Sequence, residues 1–410
     1  MSISSSNTLQ TNKLTDLVAL RAVENAGWLT VGAKAYFAGQ LADKRNGQTY
    51  GFVIRDTGIA VNSLSVGAGE KTTLTEKIVN LSLEPWHTVC KTNAVEAVTD
   101  MKWDEEVADP QGQKLANGIV RSSIAKQLSK VTTAFVGTGF APLAMAGAHL
   151  SSVTSESLFG FVDPMIEAVL TSNGQQFQPA GVPPMYAKGV LGNFHGVEYR
   201  GQRFLPGLTV SDDMVTSFTG ATTAASTPLN VGVDSTTIAL AITAAPAAFV
   251  IPAGFVFWVA GTYACDLVGD STSAPYAFVT TASANVSKSA TTVTLSVEPF
   301  TLTAGGTMEL AKADGTAYTV ATFPAAAAVT IPAAGSYYRG YVRSNGAFEF
   351  ETLDKLDVSN ADTKVGSVAG LTVHQNRIID LDNMINDTRW DIIELDGVVE
   401  KRANTLVLIK

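Results

Sequence analysis

"ADPQGQKLANGIVRSSIAKQLSK", residues 108–130, is the stretch from which the rest of this chain is best read. Asp109 suits a helix N-cap and Pro110 suits the first helical turn. Ile124, Leu128, Val131 and Phe135 recur at spacings of four, three and four, which makes one apolar stripe of a helix. Leu115 and Ile119 lie on a different face, and a helix with two apolar faces is packed from two sides. The pattern predicts one long helix over about residues 110–136, stopping near Gly137 or Gly139. It carries no catalytic motif. The stretches around it are rich in Thr, Val, Ala and Gly and read as strands.

Upstream, residues 1 to 12 are small and polar with nothing to bury, the composition of a disordered segment. "LTDLVALRAVENAG" predicts a short amphipathic helix that Thr15 or Asp16 would cap and Gly27 would end. In "NGQTYGFVIR", Tyr50, Phe52 and Ile54 alternate as in a strand. "KIVNLSLE" answers it with Val79, Leu81 and Leu83 on one face. Between the two lies the turn-prone "DTGIAVNSLSVGAGEKTT", so residues 48–83 predict a long projecting hairpin. Such an arm has few neighbours of its own, and an oligomer would bury it.

Downstream, "DPMIEAVLTSNG" predicts a helix capped by Asp163, with Pro164 in its first turn and Asn173-Gly174 closing it. From about residue 209 the texture changes. "STTIALAIT", "GFVFWVAG", "YAFVTTA", "TTVTLSV" and "YTVATF" are short strands at close spacing, the pattern of a small β-barrel or sandwich. The mixed pattern returns near 336. The expected organisation is an arm at 1–35, a hairpin at 36–84, and a domain at 85–150 holding the long helix. A mixed α/β region follows at 151–208, then an inserted β domain at 209–335 and a return to the mixed domain at 336–410.

The composition narrows the function by exclusion. Hydrophobic residues make up 46% and charged residues 16% of the 410, so much of the surface is uncharged or covered by partners. A net charge of -9 argues against a dedicated nucleic-acid binder. "AITAAPAAFVIPAGFVFWVAG" comes nearest to a membrane span, but Pro246 and Pro252 interrupt it. The N-terminus has no apolar core of signal-peptide type, and Cys90 and Cys265 form no metal or redox spacing. A reduced, cytoplasmic site of folding is the default expectation.

No candidate chemistry survives its bland alternative. "GAGEKTT" at 67–73 has Glu70 where a phosphate loop needs Gly, and reads as a hairpin tip. "GTGFAP" at 137–142 has two of three glycines of a dinucleotide fingerprint, but on this reading it follows a helix and is a helix end. His87, His149, His195 and His374 pair with no other His or Cys at ligand spacing. His87 lies in a strand-like stretch and His195 in a turn. There is no G-x-S-x-G. "WDEEVADP" at 103–110 offers paired carboxylates, and complementing the following helix is the simpler account. "DLDNMINDTRWD" at 380–391 lacks the Gly and the last Glu of a calcium loop and reads as a solvated loop. "DKRNG" at 43–47 is one basic turn. The expectation is a protein that is not an enzyme, with no catalytic, cofactor-binding or metal-binding residues.

The order of these parts resembles the major capsid (coat) proteins of tailed bacteriophages, with their Hong Kong 97-type α+β fold. It is most similar to the Salmonella-type short-tailed branch that carries an inserted β-barrel domain. "NGQTYGFVIRDTG" with "TLTEKIVNLSLEP" resembles the two strands of that family's extended loop. "DPQGQKLANGIVRSSIAK" resembles the start of its spine helix, including Leu115-Ala116-Asn117. "GNFHGVEYRGQRFLPGLT" resembles the lead into the insertion, and "GLTVHQNRIIDLDNMINDTRWDIIELDGV" the closing strands around an acidic turn. The resemblance implies hexamers and pentamers of the chain forming an icosahedral shell. That shell would hold double-stranded DNA on its inner face without sequence specificity. Assembly would take place in the bacterial cytoplasm with a scaffolding protein and a portal, and a decoration protein could follow. No cofactor and no membrane contact is implied, and Lys71 lacks the context for the cross-linking of some relatives. The alternative reading is a β-rich tail or decoration protein.

Overall fold

The computed structural model of the chain describes residues 18–20, 22, 29–36, 49–55, 76–93, 109–166, 168–169, 192–224, 235–302, 307–318, 326–353, 362–368, 370–380 and 385–410. In chain order its first labelled elements are β1 (Thr49–Arg55), β2 (Glu76–Asn93), α1 (Asp109–Ser129), β3 (Thr133–Gly137), α2 (Ala141–Val153) and β4 (Leu158–Val162). Then come β5 (Gly192–Phe194), β6 (Val197–Gly201), β7 (Leu208–Val210), α3 (Asp212–Phe218), β8 (Thr222–Thr223), β9 (Ser235–Ala241) and β10 (Phe249–Ile251). Next are β11 (Val256–Cys265), β12 (Ser271–Val279), β13 (Ala284–Val286), β14 (Thr292–Phe300), β15 (Leu310–Ala311) and β16 (Val329–Thr330). The chain closes with β17 (Gly335–Ser344), β18 (Phe348–Thr352), β19 (Asp362–Val368), β20 (Leu371–Asp380), β21 (Ile385–Val398) and β22 (Asn404–Ile409). This is an α+β chain of mixed sheets with few helices.

The chain divides into two compact units. The first takes in Met1–Phe52, Asn80–Ile124 and Phe348–Gly397. Its sheet runs β1-β2-β21-β20-β19, with β18 also on β21. β2 and β21 are antiparallel from Leu83↔Leu395 to Asn93↔Ile385. Trp86 of β2 lies against Gly118 of α1, where an added Cβ would meet the indole at 2.9 Å. Glycine at 118 is therefore what allows helix and strand to approach.

The second unit takes in Val53–Val79, Ala125–Ala347 and Val398–Lys410. Its seven-stranded sheet runs β3-β22-β17-β4-β6-β5, with β7 also on β17. β3–β22 and β4–β6 are parallel pairs. α2 covers it through Leu143, Ala146 and Leu150, which pack with Leu158, Val162, Val197, Val342 and Val407. Between β7 and β17 the described strands form three antiparallel sheets: β14-β9-β8, β12-β11-β15 with β16, and β10-β13. Bridges Thr222↔Ala328 and Thr280↔Val297 join β8 to the segment leading into β16 and the end of β12 to β14, and these strands surround an aromatic core. Phe257 stacks on Phe278 at 5.4 Å, and Phe300 meets Phe278 edge-on at 5.3 Å.

Along α1 the buried positions come in pairs every four residues: Leu115/Ala116, Ile119/Val120, Ser123/Ile124, Gln127/Leu128. Four residues turn a helix by about 400°, so the stripe drifts by about 40° per repeat. The two apolar faces expected from the sequence are the two ends of this one drifting stripe.

Several expectations are corrected. The helix does not reach residue 136. It ends at Ser129, and Thr133–Gly137, Phe135 included, is a strand. Two things stop it. Asn404 donates its Nδ2 to the carbonyls of Gln127 and Lys130, both at 2.9 Å, taking acceptors that a continuing helix would use. β22 then draws residues 133–137 into a parallel ladder, Thr405↔Thr133 through Ile409↔Gly137. "GTGFAP" therefore follows a strand and leads into α2, with Gly139 at φ +65 in the turn. The third fingerprint position is Pro142, whose ring lies over Gly137. Residues 385–391 are strand and not solvated loop, because β2 and β20 pair with them on both sides. Asp109 is the first helical residue instead of the residue before it. Asp163 does cap its helix, its Oδ1 accepting the Met165 N–H at 2.8 Å. The N-terminal helix is described only at residues 18–20 and 22, which are helical. The hairpin tip, "DKRNG", residues 103–108 and Asn173-Gly174 lie outside the described residues.

Candidate functional site

The most unusual element is β2. Its 18 residues span about 60 Å at the rise of a strand. The ladder to β21 begins at Leu83, so Glu76–Ser82 run past it, and the other sheet neighbour of β2 is β1. The alternation of β2 changes hand midway. Lys77, Val79, Leu81 and Leu83 turn inward, and then Glu84, Trp86, Thr88 and Cys90 do. Ile78 is left 61% exposed and Val89 50%. In β1, Tyr50, Phe52 and Ile54 face inward as expected, while Val53 is 41% exposed. Among the described residues β1 is also the outer strand of its sheet. The arm thus combines an open sheet edge with exposed branched side chains and holds no Lys in β1 to guard that edge. Its chemistry is that of an element that pairs and packs, not of one that reacts.

The histidines do not converge on a site. His87 and His374 both stand opposite Asp391, on either side of it. His374 is buried with Nε2 2.7 Å from the Leu353 carbonyl, and Asp391 is occupied by Arg389 Nε at 2.6 Å and Asn376 Nδ2 at 2.8 Å. His149 lies against the ring of Phe135, and burial lowers its pKa to about 4. His195 occupies the β5–β6 turn at φ 50. Neither thiol is set up as a nucleophile: burial raises Cys90, and pushes Cys265 up to about 12 against the pull of Arg402.

One carboxylate cluster escaped the sequence. Glu84, Glu394 and Asp396 bring oxygens within 4.8 Å of one another, the sole such group of three among the described residues. Glu84 and Glu394 are opposed in the β2–β21 ladder, and Asp396 follows on the same face. Trp86 donates to Glu394 at 2.6 Å, Ser122 to Glu84 at 3.3 Å, and Ser123 to Asp396. Oxygen ligands of this kind suit a hard cation. These donors instead give each acid a structural hydrogen bond. Nothing in the sequence signals the cluster, since Glu84 lies some three hundred positions before Glu394 and Asp396. Among the described residues, no helix is long and apolar enough to cross a membrane.

No protein-family model and no curated protein matches the chain. Among solved structures it is similar to the capsid of Ralstonia phage GP4, at 7% identity and a TM-score of 0.45, over 95% of this chain and 91% of that one. It is similar to the acid-stable capsid of Helicobacter pylori bacteriophage KHP30, at 7% and 0.44, over 93% and 89%. It is also similar to a chain of Mycobacterium phage Che8, at 10% and 0.43, over 92% and 90%.

Proposed function

We propose that this chain is the major capsid protein of a tailed bacteriophage, with a Hong Kong 97-type fold. Copies of it close into an icosahedral shell around double-stranded DNA, with a scaffolding protein and a portal during assembly in the host cytoplasm. The observation that carries this reading is the β1–β2 arm. With β2 extending beyond its ladder to β21, β1 at the edge among the described strands, and Val53 and Ile78 exposed, the pair gains its stability from a neighbouring subunit. The long helix α1 would be the spine, the segment between β7 and β17 the inserted domain, and the shell a product of broad, weakly charged contacts. No reaction is part of this role.

The test is deletion of residues 57–73. The shortened subunit should stay soluble and folded by circular dichroism, yet show no closed shells in negative-stain microscopy, while the full chain with its scaffold forms them. Shells of normal size from the shortened chain would refute the role of the arm.

A further inference from the structure

Residues Glu76–Val79, the insert and the C-terminal segment 398–410 all belong to the second unit, and one carboxylate joins the three. Glu309 is 3% exposed. Its Oε1 lies 2.5 Å from Lys77 Nζ, and its Oε2 lies 2.6 Å from Lys401 Nζ. Thr301 completes the seat: its N–H donates to Glu309 Oε2 at 3.0 Å, and its hydroxyl accepts from Lys77 at 2.8 Å. Lys401 also donates to the carbonyl of Pro299. Beside it, Arg402 forks onto Glu400 and donates to the carbonyl of Asp266 at 3.0 Å. Burial raises the Glu309 carboxyl, and Lys401 and Lys77 outweigh it and hold the group below its ordinary value. The carboxylate therefore stays ionised and keeps both ammonium groups.

We propose that Glu309 is a positioning residue for the arm, a clasp that fixes the end of β2 nearest the hairpin to the insert and to the C-terminal segment. Residues 76–82 lie outside the β21 ladder, so Lys77 supplies a directional tether there that β21 does not. The insert thereby sets where Ile78 and Val53 are presented. The consequence for assembly rests on the shell reading, whereas the clasp is a property of the isolated subunit.

Hydrogen exchange followed by mass spectrometry on the soluble subunit tests it. In Lys77→Met the amides of residues 77–82 should exchange about 100-fold faster, while β22 is unchanged. In Glu309→Gln the same amides should loosen, and residues 401–403 with them. Unchanged exchange at 77–82 in Lys77→Met overturns the proposal, and so does equal acceleration there and in β22, which would mean a core weakened as a whole. Shells are scored separately. Glu309→Gln subunits with a loosened arm that still close normally refute the positioning role and leave the shell reading intact. A wild-type chain that forms no shells refutes the shell reading and leaves the exchange result standing.

Discussion

A Cβ at Gly160 would lie 2.4 Å from two ring carbons of Tyr199, its partner across the β4–β6 pair. That ring is not free to swing, because the Tyr199 hydroxyl donates to the Leu143 carbonyl at 3.1 Å. Gly160→Ala should therefore cost about 3 kcal/mol, read as a lower urea midpoint with the slope unchanged. His149 sets a pH dependence. Its folded pKa of about 4 lies below the ordinary 6.5, so the unfolded chain binds the proton more readily. The stability tied to the neutral ring is present in full above pH 6.5 and is lost as pH falls towards 4, at roughly 2–3 kcal/mol. His149→Gln should flatten the stability profile across that window, and a variant whose profile parallels wild type would contradict the assignment. Neither residue announces itself in the sequence. Gly160 is one glycine among many, and the partner that makes it necessary arrives 39 positions later.

Elements whose evidence is local were legible. Tyr50/Phe52/Ile54 and Val79/Leu81/Leu83 read as strands because alternation is written within a few residues, and Asp163 read as a cap because its receiver is two residues away. Elements decided from a distance were not. Val131 and Phe135 continue the helical spacing of Ile124 and Leu128 without fault, yet Asn404 and β22 end the helix first. Acidic residues 385–391 look solvated until β2 and β20 are placed on either side of them. The carboxylates of Glu84, Glu394 and Asp396 were invisible for the same reason. The helix end can be tested. Asn404→Ala leaves the carbonyls of Gln127 and Lys130 without that amide and should lower stability by about 2 kcal/mol. Exchange should quicken in the last turn of α1 before it does in α2, and uniform exchange across both would argue against the cap.

For the whole molecule, on the proposed shell reading, the charge of the segment proposed as an insert bears on how the shell would be oriented. Residues 209–335 carry eight acids against Lys288 and Lys312, a balance of -6. Acidic segments facing packaged DNA would repel it over many copies, screened only beyond a Debye length of about 8 Å. The insert should therefore face outward. Lys288 is exposed, whereas Lys312 is half-buried with its ammonium 5.5 Å from the Tyr318 ring centre. On intact particles, an amine reagent too large to pass the shell should label Lys288, and labelling only after disruption would place the insert inside. The way the chain enters and leaves this segment has a further consequence. Val210 of β7 is the antiparallel partner of Gly335 of β17, so departure and return are about 5 Å apart and already zipped together. The seam works as a socket. A foreign polypeptide whose own ends meet could be carried there without moving the seven-stranded sheet, provided that Arg339, Lys401 and Arg402, which now lean on the insert through Gly254, Glu309 and Asp266, are given new partners or removed.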